Sequence, residues 1–178
     1  MIATIPQQSD AQSYKAYELI SLETEFAYSG WLYSKKSKYN VSYSFDNVKY
    51  KVDNELESII NLLNKYESIL LLKENWDYQG SEPISHNSWI GTVKFLIDYS
   101  SKIFKDYRYI IDLPRIFPSS EGSIDIQWET EEYGFLVNID KSGNQATFYS
   151  DNKDSQMIQG VFNPNDFKSY LLPKAITF

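Results

Sequence analysis

Asn75, Trp76 and Asp77, with Arg115, Trp128 and Glu129 further along, are the residues best equipped for chemistry in this sequence. Asp77 and Glu129 as a carboxylate pair, with Glu82 nearby, would suit Mg²⁺, a hard cation that takes oxygen ligands and fills its remaining positions with water. That pairing would make a metal-dependent nuclease or hydrolase. No Asp-x-Asp, no Glu-x-Lys after a strand and no second metal-binding cluster accompanies it. The same residues have a structural use. Asn75 can take the left-handed conformation that stops a helix, Trp76 can cover the end of a helical core, and Asp77 can accept backbone donors in a turn. Arg115, stiffened between two prolines, could pair in bidentate fashion with Asp77 or Glu129 and lock the loop to a sheet. The spacing favours this second use: a structural motif of Asn75, Trp76, Asp77, Arg115 and Trp128, with no catalytic residue and no metal assigned.

Composition removes most other chemistry. The chain has 178 residues, no cysteine and one histidine, His86. Without cysteine there is no disulfide framework, thiolate metal site or cysteine nucleophile. A lone histidine makes no multi-histidine cage. His86 falls beside Ser85 and Ser88 at the start of an expected helix, where serine is ordinary capping chemistry and a protonated imidazole would oppose the helix dipole. It reads as a surface residue. Gly134, Gly143 and Gly160 stand alone, not in a phosphate-binding loop, and no cofactor is expected. The first ten residues lack the basic start and apolar run of a secretory signal. No stretch reaches the roughly 18–20 apolar residues that span a bilayer. The expectation is a cytoplasmic protein with no membrane partner.

Charge is unevenly spread along a chain of net charge -7. Between residues 33 and 51 lie Lys35, Lys36, Lys38, Lys49 and Lys51 with one aspartate, interleaved with Tyr33, Tyr39, Tyr43 and Tyr50. Lysine beside exposed tyrosine equips a nucleic-acid surface, with cations for phosphate and rings for bases. The tyrosines share a strand face with Val41 and Phe45, however, which makes them core residues, and Lys49 and Lys51 guards of an edge strand. Residues 121–140 carry six acidic residues and no basic one. Glu129, Glu131 and Glu132 cluster there at a hairpin tip, suited to steering a basic protein partner.

The elements that must position these groups follow from periodicity. Residues 39–45 and 48–52 alternate apolar with polar around Asp46-Asn47, a β-hairpin. Asn54 and Glu57 have capping-box spacing, and an apolar stripe predicts a helix to about residue 73. A polar loop over residues 75–83 leads to a second helix, capped by Ser85 with a stripe from Trp89 to Ile103. The two helices are expected to pack antiparallel. Prolines exclude a helix over residues 114–122. Strands are then predicted at 124–128, 135–139, 146–149 and 157–162, with a short helix at 164–171 begun by Asn163-Pro164. Residues 16–28 fit neither period cleanly. Helices first and a meander afterwards predict an α+β fold: two antiparallel helices on an antiparallel meander, with an N-terminal hairpin and a short C-terminal helix. One domain is expected over residues 1–178, with 1–53 as an extension carrying the hairpin and 54–178 as helix pair plus meander.

Two segments carry a resemblance. LKENWDYQGSEPIS, from Leu72, and LPRIFPSSEGSIDIQWE, from Leu113, resemble a set of small bacterial proteins with an Asn-Trp-Asp-Gly-Tyr-Gly-like loop, a helix and a Pro-Arg-Ile/Val-x-Pro…Gly-Gly-Ile/Val-x-Leu-x-Trp strand motif. The matching positions are Asn75, Trp76, Asp77, Gly80, Pro83 and Ser85, then Pro114, Arg115, Pro118, Gly122, Ile124, Ile126 and Trp128. Tyr78 and Gln79 replace the usual Gly-Tyr, and Ser123 the second glycine. The likeness runs from Leu72 to Asp140 and supports the fold expectation. It implies no activity, only an association with mobile elements and with defence or toxin–antitoxin loci.

The functional reading leans towards binding, with the enzyme question left open. It is a non-enzymatic regulatory protein, of antitoxin, immunity-like or phage-defence accessory type, that occludes a basic protein partner. Glu129, Glu131 and Glu132 steer that partner, and aromatic residues such as Trp31 and Tyr133 anchor it. The alternatives are a nucleic-acid-binding regulator using Lys35, Lys36, Lys38, Lys49 and Lys51, and the Mg²⁺-dependent nuclease or hydrolase.

Overall fold

The computed structural model describes residues 40–131, 133–152 and 156–166. The described chain opens on the expected hairpin. Strand β1 (Asn40–Phe45) pairs antiparallel with β2 (Val48–Asp53), setting Tyr43 opposite Tyr50 and Val41 opposite Val52. Asp46 and Asn47 both have positive φ, 49° and 62°, the left-handed pair whose twist suits a two-residue hairpin turn. One face of the ribbon sends Tyr43 and Val52 into the core, while Lys49 and Lys51 remain exposed.

The helix predicted over residues 54–73 is built in three pieces. A 3₁₀ turn (Asn54–Leu56) leads into α1 (Glu57–Tyr66), which passes into a second 3₁₀ stretch (Glu67–Leu71). The apolar stripe is as spaced, with Leu56, Ile59, Ile60 and Leu63 buried against the hairpin and the following helix. The Asn54–Glu57 capping box does not form. Asp53 holds the cap position of a three-residue turn, and no side chain caps either segment. Such turns are common at helix ends, where i→i+3 bonds satisfy groups that an α-helix leaves unpaired.

Helix α2 (His86–Tyr107) runs unbroken for 22 residues, one turn past the predicted stripe. Ser85 does stand at its N-cap with extended backbone, but its hydroxyl donates to the Lys141 carbonyl at 2.7 Å instead of capping. At the far end Arg108 turns left-handed, its N–H donates to the Phe104 carbonyl, and its guanidinium lies 5.4 Å over the Phe104 ring.

The rest is one antiparallel sheet of five strands in sequence order: β3 (Arg115–Pro118), β4 (Ile124–Glu129), β5 (Tyr133–Ile139), β6 (Ala146–Asn152) and β7 (Gln156–Phe162). Four of these coincide with predicted strands. The first, β3, is a strand that was not predicted: the segment is non-helical, as expected, and its prolines are compatible with an edge strand, where a missing N–H costs no ladder bond. Alternate residues such as Ile116, Ile126, Trp128, Val137, Ile139 and Phe148 are buried on the inner face. Side chains of α2 meet them. Phe95 lies edge-on to Trp128 at 6.5 Å and 5.7 Å from Phe162, and the Ser88 hydroxyl donates to the Ile139 carbonyl at 2.9 Å.

The fold is therefore α+β, with a two-stranded and a five-stranded antiparallel sheet and two α-helices among the described residues. Asn163–Asp166 form a turn in which Asn163 Oδ1 accepts the Asn165 N–H. The helix predicted at 164–171 lies outside the described residues from 167 onward, as does all of segment 16–28.

Candidate functional site

The Asn75-Trp76-Asp77 loop spends its polar groups on closing itself. Asn75 is left-handed, at φ 61°, but four residues beyond the 3₁₀ stretch, so it shapes the loop and does not end a helix. Its N–H donates to the Ser81 carbonyl at 2.7 Å, and its Oδ1 accepts the Gly80 N–H at 2.9 Å. Asp77 Oδ1 accepts the Gln79 N–H at 2.8 Å and the Ser81 N–H at 3.3 Å. The neighbouring Ser81 hydroxyl and these amide donors hold the Asp77 carboxyl below the usual carboxylate range. The half-buried Trp76 donates its indole N–H to the Glu82 carbonyl at 3.1 Å.

The loop's exit is tied to the second motif segment. Glu82 N–H donates to the Ser120 carbonyl at 2.8 Å and Ser85 N–H to the Gly122 carbonyl at 2.9 Å. Gly122, at φ 75°, sits so close that a Cβ there would lie 2.8 Å from the Pro83 carbonyl oxygen. Lys141 Nζ stands 3.4 Å from Glu82 Oε2 at the surface. Trp128 is buried, with its indole N–H on the Asp112 carbonyl at 2.8 Å. Arg115 departs from expectation. It is exposed, opposite Gln127, and makes no ion pair with Asp77 or Glu129. Backbone bonds hold loop and sheet together in its place. Among the described residues no group of three or more acidic or histidine side chains gathers to hold a metal ion.

The hairpin turns its rings inward. Tyr43 is buried, donates its hydroxyl to Glu67 Oε2 at 2.9 Å and accepts the Trp89 indole N–H at 3.3 Å. Burial, with Glu67 as acceptor, pushes the Tyr43 phenol far above its ordinary value. Lys49 and Lys51 are exposed opposite Ser44 and Ser42, so these lysines stand apart from the Tyr43 ring. His86 is exposed, its ring 4.8 Å from Phe45 and its Nε2 4.0 Å from Asp46. Trp31, Lys35, Lys36 and Lys38 lie outside the described residues.

Among the described residues, the outer face of the five-stranded sheet carries exposed and half-buried side chains. Its cross-strand rows follow from the registers: Phe117–Asp125–Asn138–Thr147–Val161, then Arg115–Gln127–Leu136–Tyr149–Gln159, then Glu129–Gly134–Asp151–Met157. A concavity of about 430 Å³ lies over β5, β6 and β7, floored by Leu136, Asn138, Thr147, Tyr149, Gln159 and Val161. A second, of about 260 Å³, adjoins it at Gln127, Glu129, Gly134, Leu136, Tyr149 and Asp151. Gly134 has no neighbour within 4 Å of where a Cβ would stand, so Glu129 and Asp151 face each other across an open floor. Glu131 is exposed in the adjoining turn. Glu132 and the Tyr133 side chain are outside the described residues.

The arrangement suits a cationic side chain whose stem rests on Leu136 and Tyr149. Glu129 and Glu131 were legible as acidic positions. Leu136, Tyr149, Asp151 and Val161 were not singled out, although alternation already placed large apolar residues at outward positions, a signal that was there to be read.

No protein-family model, no curated protein and no solved structure matches this chain. No helix among the described residues is long and apolar enough to cross a membrane.

Proposed function

We propose that this protein binds another protein through the outer face of its five-stranded sheet, as a non-enzymatic cytoplasmic regulator of antitoxin, immunity-like or defence-accessory type. The partner is basic, and the mechanism is occlusion of its working surface. One observation carries the reading: an aromatic and aliphatic floor, Leu136 and Tyr149, opens between Glu129 and Asp151, with Glu131 exposed in the turn that follows β4. Apolar area supplies affinity, while the carboxylates set orientation and reject acidic surfaces. The supporting scaffold in this reading is the helix pair packed on the meander with a short terminal helix, and backbone hydrogen bonds tie residues 82 and 85 to residues 120 and 122.

The test is affinity capture from host extract with wild type and with a Glu129→Lys/Glu131→Lys/Asp151→Lys variant. A basic protein retained by wild type and lost by the variant, at unchanged melting temperature, supports the reading. A partner retained equally by both removes it.

A further inference from the structure

The two edges of the five-stranded sheet are built to opposite rules. β3 is four residues long, flanked by Pro114, closed by Pro118 and marked by exposed Arg115, the devices that stop a sheet from recruiting further strands. β7 has none of them. Its seven residues, Gln156–Phe162, contain no charge and no proline. Met157, Ile158 and Val161 are 62%, 54% and 61% exposed. Met157 and Val161 belong to the outer face and Ile158 to the inner, so apolar side chains are exposed on both sides of an edge with which no strand pairs among the described residues. An uncharged apolar edge is a template for another strand.

We infer that β7 pairs antiparallel with β7 of a second copy of this chain, making a two-fold dimer with one continuous ten-stranded sheet. A two-fold contact sets a surface against itself. In a chain of net charge -7 a charged edge would meet like charge, whereas β7 meets only neutral residues. Centred on Gln159, the pairing puts Gln159 against its own counterpart, where two amides can bond each other. Met157 then stands opposite Val161 on the outer face. On the inner face Ile158 stands opposite Gly160, whose missing side chain already makes room for the Phe148 ring. Ile158 of one copy thus reaches Phe148 of the other.

The contact is a single pair of seven-residue strands, well short of the roughly 20–30 residues a side of a standard stable interface, so the dimer is concentration-dependent. The pairing stands independently of the functional reading above. It also keeps both outer faces on the same side of the sheet.

The test is sedimentation of the full chain from about 1 to about 300 µM, the range over which an interface of this class dissociates. Wild type shifts from monomer to dimer, and Val161→Lys and Ile158→Lys remain monomeric at unchanged melting temperature. Because the chain has no cysteine, Gln159→Cys gives a single-site probe that forms an intermolecular disulfide on mild oxidation. A wild type monomeric throughout, whatever other strand it captures, overturns the inference. So does a dimer that survives both lysine substitutions, or one in which Gln159→Cys fails to cross-link.

Discussion

At the scale of single residues, the polar side chains of Asn75 and Asp77 are committed to holding backbone. Asp77 shows it most directly, since one carboxylate oxygen takes two amide donors and its pKa is lowered by the Ser81 hydroxyl and by those amides. A carboxyl depressed in the fold contributes stability that is complete above its unfolded value, about 3.9, and is lost as pH falls through the lower folded value. The expected outcome is a wild-type melting temperature that drops relative to Asp77→Asn on acidification below about pH 4. A pH-independent difference between the two would remove the Asp77 linkage. This much was legible in the sequence: a short acidic side chain two residues before a polar turn is an acceptor for that turn's amides. What Arg115 would do was not. An arginine between prolines can reach several carboxylates, and only the packed chain shows that it reaches none of those expected.

At the scale of elements, close approach decides more than propensity. Gly91 lies within α2, where alanine would ordinarily stabilise a helix by about 1 kcal/mol. Here a Cβ would stand 2.7 Å from the Gly143 carbonyl oxygen and 2.9 Å from Ile139 Cγ2. Gly91→Ala is therefore expected to destabilise by about 1–3 kcal/mol, because a crowded core yields only by shifting backbone. Urea denaturation of the variant checks the sign, and a more stable protein would contradict the packing. Element types were largely legible. Period-two runs gave the hairpin and four strands, and the stripe from Trp89 gave α2. The 3₁₀ pieces around α1 and the edge strand β3 were not, because both depend on neighbours that satisfy or dispense with hydrogen bonds.

At the scale of the whole molecule, charge and shape act together. Residues 121–140 hold six of the acidic residues, and the structure sets Glu129 across an open floor from Asp151, on a strand that the sequence alone keeps separate. If this face steers a basic partner, the association rate should fall several-fold between low and physiological salt while dissociation changes little. Stopped-flow or surface-binding kinetics with the captured partner would read this, and a salt-independent rate would argue against steering. The sequence by itself determined which residues share a strand face, where chains turn and how unevenly charge is distributed, because these are properties of neighbours along the chain. Only the tertiary structure decided which set of sheet residues meets Phe95 and Ser88 of α2. It alone showed that the loop at residues 75–85 is tied to residues 120–122 and that, among the described residues, β3 and β7 are the two edges of the sheet. Alternation divides residues into two sets with complete certainty, yet carries no information on which set meets the core. That assignment comes from contacts between segments far apart in sequence, which exist only once the chain has closed on itself.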